Sequence, residues 1–319
     1  MSTCADPVMT PIIRAMTAAD VPEAERITRL ALGTFFGLPD PMQFRGDGEA
    51  VSGRYHTNPD GAFVGELDGR LIASGVIMDW GSAAVLGPLG VDPDHWGKGI
   101  GHQLMDSMTE HLNRRGFDFT GLFTHPQSAS HIRLYEQFGF WMQRVTGVMM
   151  KPVAVSAASL DYALFSGFDD LEFDRALAEC KSLTDGLHPG LDLSREIRTV
   201  AELGLGDTLA LRQDDAQVGF AICHFGARSE ASSARVMVKF AMARSGDTEA
   251  FIALLASCEN LAARLGASEI AAGANSGRPR AYRLMKDAGY RTAMNGVIMM
   301  RPDQAGYNRP DSLVIDDWR

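Results

Sequence analysis

The chain has 319 residues, enough for one or two domains that each bury a hydrophobic core. Hydrophobic residues make up 45% of it and charged residues 22%, a composition typical of globular proteins. The formal net charge of −10 argues against nucleic acid or an anionic membrane as the main partner, and it mildly favours cationic or neutral substrates.

The spacing of the cysteines and the N-terminal sequence together predict the cellular compartment of the protein. The cysteines are scattered, without a CxxC pair or a Cys/His cluster: Cys4, Cys180, Cys223 and Cys258. This spacing supports neither a zinc site nor a disulfide framework, and it predicts a reducing compartment. The stretch MSTCADPVMTPIIRAM lacks a continuous apolar segment, and no apolar run has membrane-spanning length. We therefore expect a cytoplasmic protein without a bound metal.

The first elements predicted along the chain are a strand, a helix and a hairpin. The stretch PIIRAMTAAD indicates a short strand followed by a helix start, with Thr17 or Asp20 as N-cap, and VPEAERITRLAL has helical spacing. The strand patterns GAFVGEL and RLIASGVIMDW are joined by Asp68-Gly69, a strong hairpin signal. The run AAVLGPLGV then predicts a further, mostly buried strand.

A helix, a strand, a second helix and another strand follow. Apolar residues recur every four positions after Gly99 and lie on one helix face: Ile100, Leu104, Met108 and Leu112. Gly116 is suited to end this helix. The stretch DFTGLFTH predicts a strand, SASHIRLYEQF a helix that stops at Gly139, and FWMQRVTGVMMKP a strand. This order predicts an α/β architecture with helices on a mixed sheet.

The sequence repeats itself at a spacing of 150 residues. The aligned pairs are RLYEQFGF with RLMKDAGY, MMKP with MMRP, and Gly116 with Gly266. The second half also has a hairpin pattern, DTLALRQDDAQVGFAICHF, followed by the strand pattern ARVMVKFAMA. Several matches in one register favour a duplicated domain over two unrelated α/β domains. The weakly patterned residues 153–160 predict the boundary between the halves.

The stretch VDPDHWGKGIG places Gly97, Gly99 and Gly101 between an apolar strand and an amphipathic helix. Such a turn exposes first-turn amides and the positive end of the helix dipole to an anion, and glycine lets the backbone approach closely. The P-loop pattern fails, because Asp92 stands where its first glycine is needed. The dinucleotide-binding fingerprint fits poorly, because the spacing is GxGxG and the turn follows a meander. Two interpretations of the glycine turn remain: it binds the pyrophosphate arm of coenzyme A, or it only connects the strand to the helix.

Together with SASHIRLYEQFGF, this stretch resembles the GNAT superfamily of acyl-CoA N-acyltransferases. In that family the turn reads Q/R-x-x-G-x-G/A after a strand that ends in Val-x-Pro, and the later segment commonly reads NxxAxxLYxxxGF. The resemblance covers residues 11–152 and extends weakly over the second half through the repeat. It implies an α/β (α+β) fold of two tandem GNAT-like domains, residues 1–152 and 153–319, each a mixed, mostly antiparallel sheet flanked by helices.

The resemblance also implies residues that bind acetyl-CoA as cosubstrate. Leu89, Gly90 and Val91 match the splayed strand whose backbone pairs with pantetheine. The residues that match the amides around the pyrophosphate are Gly97, Lys98, Gly99, Ile100, Gly101 and His102. Ser128 stands where an Asn commonly bonds the cofactor, and Trp96 where Gln or Arg is usual.

Catalytic residues follow in part from the same resemblance. Tyr135 matches the tyrosine that commonly protonates the departing thiolate. Some relatives carry Glu as a general base on the strand formed by GLFTH, where this chain has Phe123. His125, directly after that strand, could accept a proton near neutral pH, with a solvated loop histidine and a chain of water molecules as alternatives. Asp79 and Trp80 could line the acceptor pocket.

The second half lacks the features that binding and catalysis need. Under the 150-residue shift, the three glycines of the turn align with Asp247, Glu249 and Phe251, and Tyr135 aligns with Met285. Acidic side chains repel a pyrophosphate, and methionine has no proton to donate. We therefore expect a degenerate GNAT-like domain over residues 153–319, structural or substrate-shaping.

The predicted function is an N-acetyltransferase that moves an acetyl group from acetyl-CoA to a primary amine by direct attack in the first half. The alternative is a non-catalytic coenzyme A-binding sensor or interaction module. The acceptor, a small molecule or a peptide amine, is expected near the loop GTFFGLPDPMQFRGDG. No nucleic-acid or membrane partner is predicted, and the oligomeric state is left open.

Overall fold

The computed structural model describes residues 10–154, 161–214 and 216–319. The strands of the first half are β1 Ile12–Ala15, β2 Ala62–Leu67, β3 Arg70–Trp80, β4 Ala83–Val91, β5 Phe119–Thr124 and β6 Trp141–Pro152. Its α-helices are α1 Val21–Phe35, α2 Ser52–Thr57, α3 Ile100–Arg115 and α4 Ala129–Gln137. The strands and helices predicted for this half are all confirmed; the short α2 follows the predicted acceptor loop.

The second half repeats this order of elements. Its strands are β7 Tyr162–Leu164, β8 Gly206–Gln213, β9 Ala216–Gly226, β10 Ser232–Ala243, β11 Glu269–Asn275 and β12 Arg291–Arg301. Its α-helices are α5 Asp170–Leu187, α6 Ser194–Leu203, α7 Thr248–Arg264 and α8 Pro279–Asp287, and a short strand β13, Val314–Ile315, follows β12. β5 and β11, α4 and α8, and β6 and β12 each begin 150 residues apart, as the sequence repeat predicts.

Local sequence signals set the ends of the first-half helices. Asp20 is the N-cap residue of α1, but its carboxylate accepts a hydrogen bond from the Thr17 N–H at 2.8 Å and none from α1; Thr17 is the N-cap of the short 3-10 turn Ala18–Asp20 that leads into the helix. Gly116 follows α3 with a φ of 68°, in the left-handed region that glycine adopts readily. The predicted apolar face of α3 is buried: Ile100, Leu104, Met108 and Leu112.

The two halves share one continuous sheet and exchange their last strands. The strand order is β1-β2-β3-β4-β5-β12-β6-β11-β10-β9-β8-β7, with β13 beside β10. β12 of the second half pairs with β5, and β6 of the first half pairs with β11, both antiparallel. Among the described strands, parallel pairing occurs for β4 with β5 and for β10 with β11. Neither half therefore completes its sheet from its own residues; most of the predicted linker, residues 155–160, lies outside the described ranges.

A hydrophobic core lies between the halves and contains residues from both. Trp80 of β3 meets Phe240 of β10 edge to face, with ring centroids 5.8 Å apart. Phe119 of β5 stacks on Trp318 of the C-terminal segment at a centroid distance of 6.3 Å. Each half thus removes apolar surface of the other from water, which is the main favourable term in folding.

Each half also holds a loop of the other. The turn between β9 and β10 contacts the loop between α1 and α2, because the Arg228 N–H donates to the Asp47 carbonyl at 2.9 Å. The turn between β3 and β4 contacts the loop between α5 and α6 in the equivalent way, through the Ser82 N–H and the Gly190 carbonyl at 2.9 Å. The loop predicted to bind the acceptor is therefore positioned by the second half.

The described residues show the state of three cysteines, the grouping of possible metal ligands and the length and polarity of the helices. Cys180, Cys223 and Cys258 are buried free thiols, and Cys4 lies outside the described ranges. Within those ranges, no group of three or more His, Cys, Asp or Glu side chains is arranged to hold a metal ion. The helices found there are too short or too polar to cross a bilayer.

The contact between Gly121 and Trp318 can be tested by substitution. Gly121 of β5 lies against the indole of Trp318, and a methyl group at residue 121 would overlap that ring. We expect Gly121→Ala to lower the free energy of unfolding by roughly 1–3 kcal/mol through overpacking, measured by chemical denaturation. In a Trp318→Ala background the loss should be clearly smaller, and an equal loss in both backgrounds would contradict the contact.

Candidate functional site

The first half contains an open wedge between β4 and β5. The parallel pairing of these strands ends at Leu86↔Leu122, and beyond it the described neighbour of β4 is β3 alone. The predicted residues Leu89, Gly90 and Val91 lie on this separated part of β4. One edge of β4 is therefore available to an extended ligand that can form backbone hydrogen bonds.

The Val91 carbonyl faces this wedge and has one partner. The Asp92 N–H donates to the Ile72 carbonyl of β3 at 2.8 Å, so the Val91 carbonyl, on the opposite side of the same trans peptide, points away from β3. The indole N–H of Trp96 donates to it at 2.7 Å. The Trp96 side chain thus covers part of the strand edge, and a ligand that bonds to Val91 has to displace it.

The glycine turn leaves helix α3 without a cap. Gly97 and Gly99 have φ values of 74° and 79°, a region that side chains disfavour. A methyl group at either residue would meet no atom within 4 Å, so the space above the turn is open. The N–H groups of Ile100 and Gly101, in the first turn of α3, have no intrahelical acceptor, and no side chain at Gly99 caps them. The His102 N–H already donates to the Gly99 carbonyl at 3.1 Å.

Side-chain charges add little at this turn. The Lys98 ammonium donates to the Asp94 carbonyl at 2.9 Å, and His102 lies 3.1 Å from the Asp106 carboxylate, both at exposed positions. Exposed charges of this kind contribute weakly in water. The backbone N–H groups and the dipole of α3 therefore provide the main attraction for an anion.

Tyr135 packs in the hydrophobic core of the first half. It belongs to the same hydrophobic cluster as Leu86 and Leu122, the last paired residues of β4 and β5. Its side chain is buried, and burial raises the pKa of its phenol to about 12. The hydroxyl therefore keeps its proton at neutral pH.

Ser128 is the N-cap of α4. Its hydroxyl accepts a hydrogen bond from the His131 N–H at 3.4 Å and lies 3.2 Å from the Ser130 hydroxyl. The predicted cofactor contact of Ser128 therefore competes with its capping role.

His125 lies in a group of rings that we call the aromatic cluster: Phe35, Phe36, Phe44, Phe123, His125 and His131. The His125 ring is 4.9 Å from that of Phe36 and 5.2 Å from that of Phe35. It is buried, so the alternative of a solvated loop histidine is wrong. Burial, with a smaller effect of His131, lowers the pKa of His125 to about 4. The imidazole is therefore neutral at pH 7 but only a weak base.

Asp79 and Trp80 lie away from the wedge. The Asp79 carboxylate pairs with Arg115 in the last turn of α3, whereas the glycine turn precedes the first turn of this 16-residue helix, roughly 24 Å away. Trp80 is buried in the core between the halves. β3 carries both residues to its end opposite the wedge, where they make other contacts, and this placement argues against the suggestion that they line the acceptor pocket.

The second half closes its equivalent of the glycine turn. The Asp247 carboxylate accepts a hydrogen bond from the Ala250 N–H at 2.9 Å and so caps α7, and Glu249 lies in the first turn. The Ala250 N–H is the main cause of the lowered pKa of Asp247. A negative charge thus occupies the position that an anion would take. Met285, aligned with Tyr135, is completely buried.

The wedge of the second half is filled by the C-terminal segment. β10 and β11 pair at Val236 and Met237, and farther along β10 the strand β13 pairs with Ala241 and Met242 instead. Asp317 then lies so close to β11 that a methyl group at Gly273 would overlap it. A cleft of about 270 Å³ lies beside α5, with Arg244 and Arg309 in its wall.

A buried ionic network joins the halves, and the sequence offered no motif for it. Its members are Arg54, Glu196, His224, Glu230 and Lys239, all at most 8% exposed. Arg54 pairs with Glu230 at 2.5 Å, and Lys239 pairs with Glu196 at 3.0 Å and also with Glu230. Because Arg54 and Glu230 are 176 positions apart, no local spacing could reveal the pair.

The lowered pKa of His125 predicts a pH dependence of stability. The unfolded chain takes up a proton near pH 6.5, whereas the folded state does so only near pH 4, so acid favours unfolding. We expect the free energy of unfolding to fall by about 2 kcal/mol between pH 7 and pH 5 through this group alone. Urea unfolding of the parent and of His125→Phe at both pH values measures it, and identical pH dependences would contradict the assignment.

Comparisons with known proteins give one matching family model and several solved structures with a similar fold. Residues 25–140 match the family model of the acetyltransferase (GNAT) family. No curated protein matches the chain. A Pyrococcus horikoshii protein assigned as an acetyltransferase is similar in structure, with a TM-score of 0.71, 16% identity and coverage of 97% of this chain and 95% of the other.

Two further solved structures share the fold at similar length. A GCN5-related N-acetyltransferase from Sphaerobacter thermophilus has a TM-score of 0.57 and 17% identity, over 91% of this chain and 95% of the other. A tandem GNAT protein of the clavulanic acid biosynthesis pathway has a TM-score of 0.57 and 13% identity, over 92% and 97%. Residues 25–140 thus match the acetyltransferase (GNAT) family model, and the fold over nearly the whole length of the chain is similar to that of a tandem GNAT protein.

Proposed function

We propose that this protein is an N-acetyltransferase that transfers the acetyl group of acetyl-CoA to a primary amine at the first-half wedge. The observation that carries the proposal is the combination, on one side of β4, of a strand edge without a neighbouring strand and an uncapped, unobstructed helix start. The first suits the amide groups of pantetheine, and the second suits a pyrophosphate. The family of residues 25–140 supports the same chemistry.

The binding groups fit acetyl-CoA along its length. The N–H groups of Ile100 and Gly101 would bind pyrophosphate oxygens, with Gly97 and Gly99 leaving space for them. The backbone of Leu89 to Val91 would pair with pantetheine once the Trp96 indole has moved. Acetyl-CoA supplies a thioester, an acyl group activated for attack by an amine.

Tyr135 would supply the proton that the departing sulfur needs. In the reaction the amine nitrogen bonds to the carbonyl carbon, the carbon–sulfur bond breaks, and the sulfur takes the phenolic proton. The phenol pKa of about 12 makes Tyr135 a weak acid in the free protein. The burial that raises this pKa would also raise the basicity of a thiolate formed beside it, so the transfer becomes less uphill. Tyr135 regains its proton from solvent.

The proton lost by the amine needs another acceptor. His125 can accept a hydrogen bond in its neutral form, but with a pKa of about 4 it would not keep the proton at neutral pH, so the proton passes on to bulk solvent. This property of His125 is also the one observation that favours the second candidate, a non-catalytic coenzyme A-binding sensor. An assay of free thiol release across a panel of amines separates the two functions.

The acceptor would approach along the aromatic cluster and the loop of residues 33–48. The rings of Phe36 and Phe44 stack at 5.6 Å within this region, and Phe36 is 37% exposed. Such a surface suits a small-molecule or peptide amine with an apolar part next to the nitrogen. The hydrogen bonds of Ser233 and Arg228 to Asp47 support a substrate-shaping role for the second half.

The cofactor assignment is tested by placing a carboxylate at the turn. Gly99→Asp places a negative charge at the start of α3, as Asp247 does at α7, so affinity for acetyl-CoA should fall at least tenfold, about 1.4 kcal/mol. Gly246→Asp is the matched control, because Gly246 has the same φ of 79° and equally open space in the second half. Calorimetry should give one acetyl-CoA per parent chain and an unchanged affinity for the control. Two equivalent sites, or equal affinities for parent and Gly99→Asp, would refute the assignment.

The role of Tyr135 is tested by removing its hydroxyl. Tyr135→Phe keeps the packing, so kcat should fall by about two orders of magnitude while acetyl-CoA affinity changes little. Tyr290→Phe removes the unpartnered hydroxyl of a tyrosine in the second half that is also buried, and it should leave kcat unchanged. An unchanged kcat in Tyr135→Phe would leave Tyr135 only a packing role.

A further inference from the structure

Arg54 of α2 connects three separate parts of the chain. Its Nε and Nη2 donate to the two carboxylate oxygens of Glu230 at 2.8 and 2.5 Å. Its Nη1 donates to the carbonyl of Gly87 in β4 at 2.7 Å, and its Nη2 also donates to the carbonyl of Arg319. The Arg54 side chain is 1% exposed, so it makes all these contacts away from bulk water.

Gly87 is the residue at which β4 leaves β5. It follows Leu86, the last β4 residue paired with β5, and it precedes the separated edge at Leu89 to Val91. A carbonyl at this point has lost its neighbouring strand, and Arg54 supplies the hydrogen bond instead. The guanidinium is therefore bonded to β4 at the residue where the two strands separate.

The second half fixes the position of that guanidinium. Glu230, in the turn between β9 and β10, accepts both ends of the planar fork, and Lys239 of β10 holds the same carboxylate. Burial by itself would raise the pKa of Glu230, but Arg54 and Lys239 outweigh it and lower the pKa well below its usual value. With Glu196 paired to Lys239, the two buried cations and two buried carboxylates balance. A bidentate pair of this kind permits one orientation of the arginine.

We propose that Glu230, acting through Arg54, is a positioning residue for the wedge edge of β4, so that the second half sets the affinity of the first half for the pantetheine arm of acetyl-CoA. This inference rests on the proposed function. It assigns the degenerate half a direct part in cofactor binding in addition to its contact with the acceptor loop.

The test compares two arginines in the same chemical setting. Arg54→Lys keeps the charge but cannot form the fork. Arg278→Lys makes the same change in the buried pair of Arg278 with Asp316, at 2.8 and 2.9 Å, which holds the C-terminal segment and does not contact β4. Calorimetry would measure the affinity of each folded variant for acetyl-CoA and for adenosine 3′-phosphate 5′-diphosphate, the part of coenzyme A without pantetheine.

We expect Arg54→Lys to bind acetyl-CoA at least fivefold more weakly than the parent, with its affinity for the nucleotide fragment within twofold. Arg278→Lys should bind both ligands within twofold of the parent. Equal weakening of both ligands by Arg54→Lys, or acetyl-CoA affinity within twofold of the parent, would overturn the proposal. If Arg54→Lys fails to fold, the affinities of Glu230→Gln for the same two ligands are measured instead, with the same expected and contradicting results. A parent protein that binds neither ligand refutes the proposed function instead.

Discussion

The exchange of β6 and β12 is the constraint on which the rest of this structure depends. These strands pair with each other at the centre of the sheet, and each lies beside a strand of the opposite half. The exchange joins two duplicated units into one sheet, so surfaces that each unit would expose become a common core. It also brings charged residues from distant parts of the sequence into one buried network, where only paired and balanced charges are tolerated.

The duplicated fold contains two wedges, and they differ in what occupies them. Strand edges without partners are costly unless their polar groups are satisfied. In the second half β13 satisfies part of the β10 edge, and Asp247 caps the adjacent helix. In the first half the indole of Trp96 covers one carbonyl and α3 has no cap. The same architecture thus yields one closed and one open position, and this asymmetry supports a single cofactor site.

Much of the fold and part of the candidate site could be predicted because they depend on local patterns. The four-residue spacing from Ile100 to Leu112 and the glycine at 116 define α3 without reference to any other element. The glycine turn imposes positive φ values that few residues other than glycine accept, so its conformation is encoded in the stretch itself. The repeat likewise aligns α4 with α8 and β6 with β12 to the residue.

Properties that arise from contacts between distant residues were not readable in this way. The strand exchange leaves no mark in the sequence, because β6 and β12 have the same pattern whichever neighbour they join. The low pKa of His125 comes from burial among rings of α1, β5 and α4, and residue identity alone suggested a solvated or near-neutral group. The sequence by itself determined the elements, the duplication and the open turn. Tertiary structure decided which edges pair, which charges are buried and how the halves meet, because those depend on neighbours that the chain brings together only on folding.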